Sequence, residues 1–309
     1  MRIETIKLWE NRDDVELTMF LHLPDAFLPN PVKKPAMIAC PGGAYQNCPR
    51  HGNEGDPVAM TFAVDGYQAF VLEYSVVERA PKGKSLFPAQ LIDLGKAILT
   101  IKEHADEWGV DGDKISICGF SAGAHLCSMY ATTWHNGMLA EKLGADTESF
   151  RIMAAVLIYG LHDYVLQEEF NEAHPNFITA IDGNTPIFGA SHPDKELLKA
   201  YSPVCQATDK MPPVFLAAAT DDGLVPAMHT IRMAEKLQTI GVPYECHLFQ
   251  YGEHGFSLGR NIFEPFRQEL AHACAQWVPL AKTFLMHLIS PETLKAEENP
   301  FAGMELPGV

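Results

Sequence analysis

The 309-residue chain has no apolar run near the roughly 18 residues needed to cross a bilayer, so no membrane helix is expected. Its first residues, Met1 to Lys7, alternate charged and apolar side chains as an edge strand would. They lack the basic start and apolar stretch of an export signal, and a cytoplasmic location is the expectation. Basic residues are few, 23 Lys and Arg against 39 Asp and Glu, for a net charge of −16. Such a surface repels nucleic acid and anionic membranes, and neither is expected as a partner. Paired-cysteine spacing is missing: seven cysteines are scattered with no Cys-x-x-Cys, which reads as free thiols in a reducing compartment. The 13 histidines include no His-x-x-x-His or His-Glu-x-x-His, which ranks metal catalysis low. Internal repeats and low-complexity segments are absent as well.

What is present is ample core material, 47% hydrophobic residues. Short apolar runs of strand length fall at 36–40, 68–74, 154–159 and 214–219, an apolar-alternating strand at 113–118, and a further strand at 244–249. Helical spacing falls between them, at 56–65, at 88–107 through Leu91, Leu94, Ile98 and Ile101, and at 226–240. Buried strands alternating with helices are the signature of a doubly wound, mostly parallel sheet, an α/β fold. Ahead of it, Arg2 to Leu8 and Val15 to Leu23 read as an antiparallel pair, followed by a proline-rich connection from Pro24 to Pro35. The whole chain, 1–309, is read as one domain. Residues 160–210, rich in proline, glycine and acids, are too long for an ordinary crossover and read as a cap-like insertion.

The most telling local feature is Gly119-Phe120-Ser121-Ala122-Gly123, placed between the strand 113–118 and a helical stretch from Ala124. A serine on a sharp strand-to-helix turn is held in strained backbone with its hydroxyl exposed, a nucleophile elbow. Such a serine needs a base, and the base needs an orienting carboxylate, in the chain order serine, acid, histidine. After the strand 214–219 comes Asp221-Asp222-Gly223-Leu224-Val225-Pro226, and after 244–249 comes Gly252-Glu253-His254-Gly255. His254 is the candidate base, and the acid is Asp221 or Asp222. An oxyanion hole needs two backbone N–H donors. One is offered by Ala122 and the other by the turn Pro41-Gly42-Gly43-Ala44 after the strand 36–40. Tyr45 is placed to line the acyl pocket. Arg50 and Glu54 either pair to brace the oxyanion turn or sit exposed, and His125 reads as packing.

These pieces, in order, resemble the esterase/lipase group of α/β-hydrolases, which includes small bacterial carboxylesterases and acetyl-xylan-type esterases. The resemblance covers about residues 15–285. It rests on Cys40-Pro41-Gly42-Gly43-Ala44-Tyr45, Arg50 with Glu54, Tyr74, Gly119 to His125, Asp222 to Pro226 and Gly252 to Gly255. It implies Ser121 as nucleophile, His254 as base and, because the family's acid lies three residues before the valine of Val-Pro, Asp222 as the acid. It implies an oxyanion hole from Gly43, Ala44 and Ala122. The family's histidine at the head of the oxyanion turn is replaced by Cys40-Pro41, and its third glycine by Ala44, which keeps the N–H.

The function so implied is a carboxylesterase acting without a cofactor on short, acetyl-type esters, among them acetylated sugars or xylan fragments. The partner is a small-molecule ester, with a homo-oligomer left open. The alternatives are an oligopeptidase-like or aminoacyl-ester hydrolase, a feruloyl-type hydrolase, and a non-catalytic ligand-binding module on the same fold. The oligopeptidases usually carry a propeller for which the segment before Pro41 is too short, and non-catalytic modules tend to lose a triad member.

Overall fold

The computed structural model describes residues 1–23, 32–81, 83–175, 184–259 and 273–290. Eight strands form one sheet: β1 (Arg2–Trp9), β2 (Arg12–Leu21), β3 (Lys34–Cys40), β4 (Gln68–Glu73), β5 (Val110–Phe120), β6 (Ala154–Ile158), β7 (Val214–Ala219) and β8 (Tyr244–Phe249). Their spatial order is β1-β2-β4-β3-β5-β6-β7-β8. The β1–β2 and β2–β4 pairs are antiparallel, and every pair from β4 through β3 to β8 is parallel. The expected α/β architecture with N-terminal antiparallel strands is the one observed.

The central strands are apolar throughout because both faces are covered. Side chains alternate between faces with a period of two. Ile38 and Ile117 enter one core, with Leu91 and Leu94 of α2 (Ala89–Glu103), Leu126 and Met129 of α4 (Ala122–Thr133), and Met233 and Leu237 of α10 (Met228–Ile240). Met37 and Phe120 enter the other, with Phe62 of α1 (Asp56–Ala63) and Trp277 and Phe284 of α11 (Trp277–Ile289).

Several boundaries differ from the sequence reading for local reasons. The helix expected over 88–107 ends at Glu103, and a separate turn, α3 (Ala105–Trp108), follows, closed by Gly109 at φ 64°. The apolar run at 154–159 stops one residue early because Tyr159 adopts φ 40° and leaves the sheet. Residues 160–210 contain α6 (Tyr164–Ala173), α7 (Thr185–Phe188), α8 (Lys195–Ala200) and α9 (Pro203–Gln206). Two short helices, α5 (Met138–Leu143) and a 3₁₀ turn at Thr147–Phe150, fill the connection from α4 to β6. Residues 24–31 of the proline-rich connection and 176–183 of the insertion lie outside the described residues.

Behind the carboxyl edge of the sheet, three fully buried histidines join α4, the chain after β6, and α10. His229 Nδ1 accepts the N–H groups of His162 (3.2 Å) and Asp163 (3.1 Å), so its Nε2–H donates to Gln167 Oε1 at 2.9 Å. His125 Nε2–H donates to the Tyr201 carbonyl at 2.8 Å, leaving Nδ1 to accept the Tyr45 hydroxyl at 2.7 Å. His229 and His125 are therefore used as neutral rings with one donor and one acceptor. Burial pushes His125 down to about 4 and His229 to about 3, and pushes His162 well below its ordinary value.

The unfolded chain takes up these protons near pH ~6.5 and the folded chain does not, so stability is lost as pH falls through the window between ~6.5 and ~4. Each ring contributes up to about 1.4 kcal/mol per pH unit there. Urea unfolding at about pH 7, 6 and 5 is expected to show this slope, and His229→Asn to be less stable at neutral pH with a shallower slope below it. An unchanged slope in that variant would contradict the assignment of neutral histidines.

Candidate active site

The ends of five parallel strands, β3, β5, β6, β7 and β8, carry every residue of the site, at the carboxyl edge where open α/β sheets bind ligands. Ser121 follows β5 and precedes α4, with φ 50° and ψ −117°. A non-glycine residue there costs on the order of 1–3 kcal/mol, so neighbouring structure has to hold it. Its N–H is tied to the Ile158 carbonyl at 3.1 Å, and its carbonyl accepts His125 N–H at 3.0 Å. The flanking glycines are required by close approach. A Cβ on Gly119 would lie 2.2 Å from the Gly123 carbonyl oxygen, and one on Gly123 would lie 2.0 Å from that of Cys40.

His254 Nε2 meets Ser121 Oγ at 2.8 Å, and His254 Nδ1 meets Asp222 Oδ2 at 2.8 Å. The carboxylate can only accept, so Nδ1 carries the proton and Nε2 is free to accept the serine hydroxyl. Asp222 is completely buried at its side chain, and its second oxygen accepts Leu224 and Val225 N–H, both at 2.9 Å. Asp221 faces elsewhere: it accepts Glu253 N–H at 2.9 Å and Gly252 N–H at 3.3 Å. The two adjacent aspartates thus divide the work, Asp222 holding the imidazole and Asp221 holding the loop that carries it.

The turn after β3 lies against the elbow. A Cβ on Gly42 would come within 2.9 Å of Ser121 Cβ. The Gly43 carbonyl is taken by Gln46 N–H (2.9 Å) and Asn47 N–H (3.2 Å). In a planar trans peptide the N–H points opposite the carbonyl, so Ala44 N–H faces away from that turn. Among the described residues the N–H groups of Gly43 and Ala44 make no hydrogen bond, and Ala122 N–H is an unpaired donor at the start of α4. The residues that carry these three donors line one cavity together with Ser121.

Glu54 and Arg50 do not pair. Arg50 Nε bonds Asp56 at 2.9 Å, while Glu54 accepts Gly42 N–H and the Tyr159 hydroxyl, each at 2.6 Å. The two charges point to different partners and both side chains are half-buried, so neither alternative, a direct ion pair or two exposed side chains, is the one observed: Glu54 is bound to the turn itself. Tyr159 was not foreseen from sequence, its one signal being its place at the end of an apolar strand run. Cys40 is fully buried in the core. Burial pushes the thiols of Cys48, Cys118 and Cys127 up, away from thiolate reactivity. Among the described residues no cluster of His, Cys, Asp or Glu could hold a metal ion.

A cavity of about 560 Å³ opens over Ser121. One part of its lining is the turn after β3, with Gly43, Ala44, Tyr45, Gln46 and Asn47. Tyr45 belongs to this part while its hydroxyl turns inward to His125. Another part comes from the 160–210 segment and includes Tyr164, Glu168, Asn171, Asn184 and His192. No lysine or arginine lines the cavity among the described residues.

Comparison with known proteins identifies the family and the fold. The BD-FAE family model matches residues 25–237. The chain is 30% identical over 234 residues to endo-1,4-beta-xylanase B of Butyrivibrio fibrisolvens, covering 75% of this chain and 34% of that protein. It is 26% identical over 256 residues to the acetylxylan esterase of Xylanibacter ruminicola, covering 82% of this chain and 47% of that protein. The chain thus spans about half or less of these curated relatives. Among solved structures it resembles MGS-M1, an alpha/beta hydrolase enzyme from a Medee basin deep-sea metagenome library. The match has a TM-score of 0.70 and 28% identity, covering 94% of this chain and 98% of that one. The chain belongs to the BD-FAE family and is an esterase/lipase-type α/β-hydrolase.

Proposed function

We propose that the protein is a serine carboxylesterase in which Ser121, His254 and Asp222 act as the triad. The single observation that carries this reading is the unbroken hydrogen-bonded line from Asp222 through His254 to Ser121, set against three free N–H groups. As Ser121 Oγ attacks the ester carbonyl, its proton passes to His254 Nε2. The charge on the carbonyl oxygen is met by the N–H groups of Gly43, Ala44 and Ala122. Collapse breaks the bond to the alcohol, which leaves with the proton from His254. Water, deprotonated by the same nitrogen, then attacks the acyl-serine and releases the acid. Asp222 keeps the imidazole in the correct tautomer throughout and stabilises its charged form.

The finer reading is an acetyl-type ester of a neutral, hydroxyl-rich alcohol such as a sugar. Two observations support it. The 160–210 segment brings the polar side chains of Glu168, Asn171 and Asn184 to a cavity whose lining is otherwise largely apolar, and these three match sugar hydroxyl groups. Among the described residues the cavity also has no lysine or arginine to receive an anionic substrate. A similar acetylxylan esterase supports the same direction. In this reading the 160–210 segment is a cap that shapes the alcohol side of the site.

Two outcomes test the proposal. Ser121→Ala and Asp222→Asn are each expected to lower kcat on p-nitrophenyl acetate by about four orders of magnitude, and Asp221→Asn by about tenfold. Full activity in Ser121→Ala, or a larger loss in Asp221→Asn than in Asp222→Asn, would refute the assignment. In a panel of acyl lengths, acetylated sugars and feruloyl esters, acetylated sugars are expected to give the highest kcat/KM. Glu168→Ala and Asn171→Ala are each expected to raise KM for them by about tenfold with little change in kcat.

A further inference from the structure

The oxyanion turn is gripped from outside by side chains that the reaction does not itself use. The peptide joining Pro41 to Gly42 is held at both ends. Its carbonyl accepts the Tyr74 hydroxyl at 2.5 Å, and its N–H donates to Glu54 Oε2 at 2.6 Å. Two peptides further on, the Gly43 carbonyl is held by Gln46 and Asn47. The peptide between them, whose N–H belongs to Gly43, is thus fixed by clamped neighbours on either side. A plane so bracketed has little freedom to rotate its N–H away from the substrate oxygen.

The other oxygen of Glu54 reaches the base. Glu54 Oε1 accepts the Tyr159 hydroxyl at 2.6 Å, and that hydroxyl accepts Ser257 N–H at 3.0 Å. Ser257 lies three residues after His254, at φ 45°, and its own hydroxyl donates to the Asn53 carbonyl at 2.7 Å. The Tyr159 ring stands edge-on to the His254 ring, with centroids 5.1 Å apart at 65°. Burial and the neighbouring Glu54 charge push the Tyr159 phenol well above its ordinary value, which keeps it a donor. No lysine or arginine pairs with Glu54 among the described residues. A lone carboxylate this near a developing oxyanion opposes the charge there. Its contribution to rate is therefore geometric, through charge-assisted hydrogen bonds that fix direction.

We infer that Glu54 is a positioning residue: with Tyr74 it sets the aim of the Gly43 N–H, and through Tyr159 and Ser257 it ties that donor to the loop carrying His254. This rests on the esterase reading above. The test compares wild type, Glu54→Ala, Glu54→Gln and Tyr159→Phe on p-nitrophenyl acetate, with the thermal midpoint of each recorded separately. Glu54→Ala is expected to lose kcat by roughly 10–100-fold with KM within about threefold, a fraction of the loss from deleting a whole oxyanion donor. Glu54→Gln, whose amide oxygen still accepts Gly42 N–H, is expected to recover to within about threefold of wild type. Tyr159→Phe is expected to fall between them, and the Glu54→Ala, Tyr159→Phe double variant to be no worse than Glu54→Ala alone.

A second readout needs no turnover. An aryl phosphonate forms a bond from phosphorus to Ser121 Oγ, expels the aryloxide and leaves a phosphoryl oxygen in the oxyanion hole, with the serine proton taken by His254. Its labelling rate is expected to fall in Glu54→Ala by a similar factor. Wild-type labelling that depends on Glu54 without ester turnover would sink the esterase reading and keep the clamp. Unchanged kcat and labelling in a folded Glu54→Ala, or a Glu54→Gln as poor as alanine, would overturn the clamp.

Discussion

A backbone turned to φ 50° at Ser121 is the constraint on which the rest of the site depends. The turn lifts the hydroxyl off the end of β5 and starts α4 at the next residue, which leaves Ala122 N–H unpaired beside it. The strain is held by bonds at both sides of Ser121, to Ile158 and His125, and by glycines that let β3 and α4 close around the turn. Conformational energy on the order of 1–3 kcal/mol is thereby stored where the chemistry is proposed to occur. Positive φ recurs at Ala44, Tyr45, Tyr159, Glu253 and Ser257, all in loops leaving the same edge of the sheet.

That edge converts a one-dimensional order of strands into a site. β3, β5, β6, β7 and β8 end side by side, so loops far apart in sequence meet within hydrogen-bond reach. Ser121 and His254 are separated by 133 residues and lie 2.8 Å apart. The loops are then locked to one another by buried and half-buried polar groups: Asp221 to the His254 loop, Glu54 to the turn after β3, and His229 through Gln167 to the Leu224 carbonyl beside Asp222. Each link satisfies groups whose burial would otherwise be costly.

The strand runs were legible because apolar stretches of six residues flanked by turns leave few alternatives. Both β7 and β8 fall on the residues read from sequence. The serine, the histidine and the oxyanion turn were legible from where they follow strands. The choice of Asp222 over Asp221 came from the family resemblance and not from the residues themselves, because neighbouring residues differ only in side-chain direction, which the tertiary turn decides. The Glu54 partnership was hidden for a related reason. Its proximity to Arg50 in sequence left a pair or two exposed side chains open, yet α1 gives Arg50 its own partner in Asp56 and Glu54 turns toward Gly42 and Tyr159. Tyr159 is marked locally only by its place at the end of an apolar run, and it acquires its role when β6 ends beside β5.

The central claim is that Ser121 forms a covalent acyl intermediate. The most direct measurement is mass spectrometry of the protein quenched in acid during turnover of p-nitrophenyl acetate, followed by peptide mapping. The expected result is one acetyl group on the peptide carrying Ser121, absent from a Ser121→Ala variant treated in the same way. Turnover with no acetylated Ser121, or an acetyl group confined to another residue, would contradict the account.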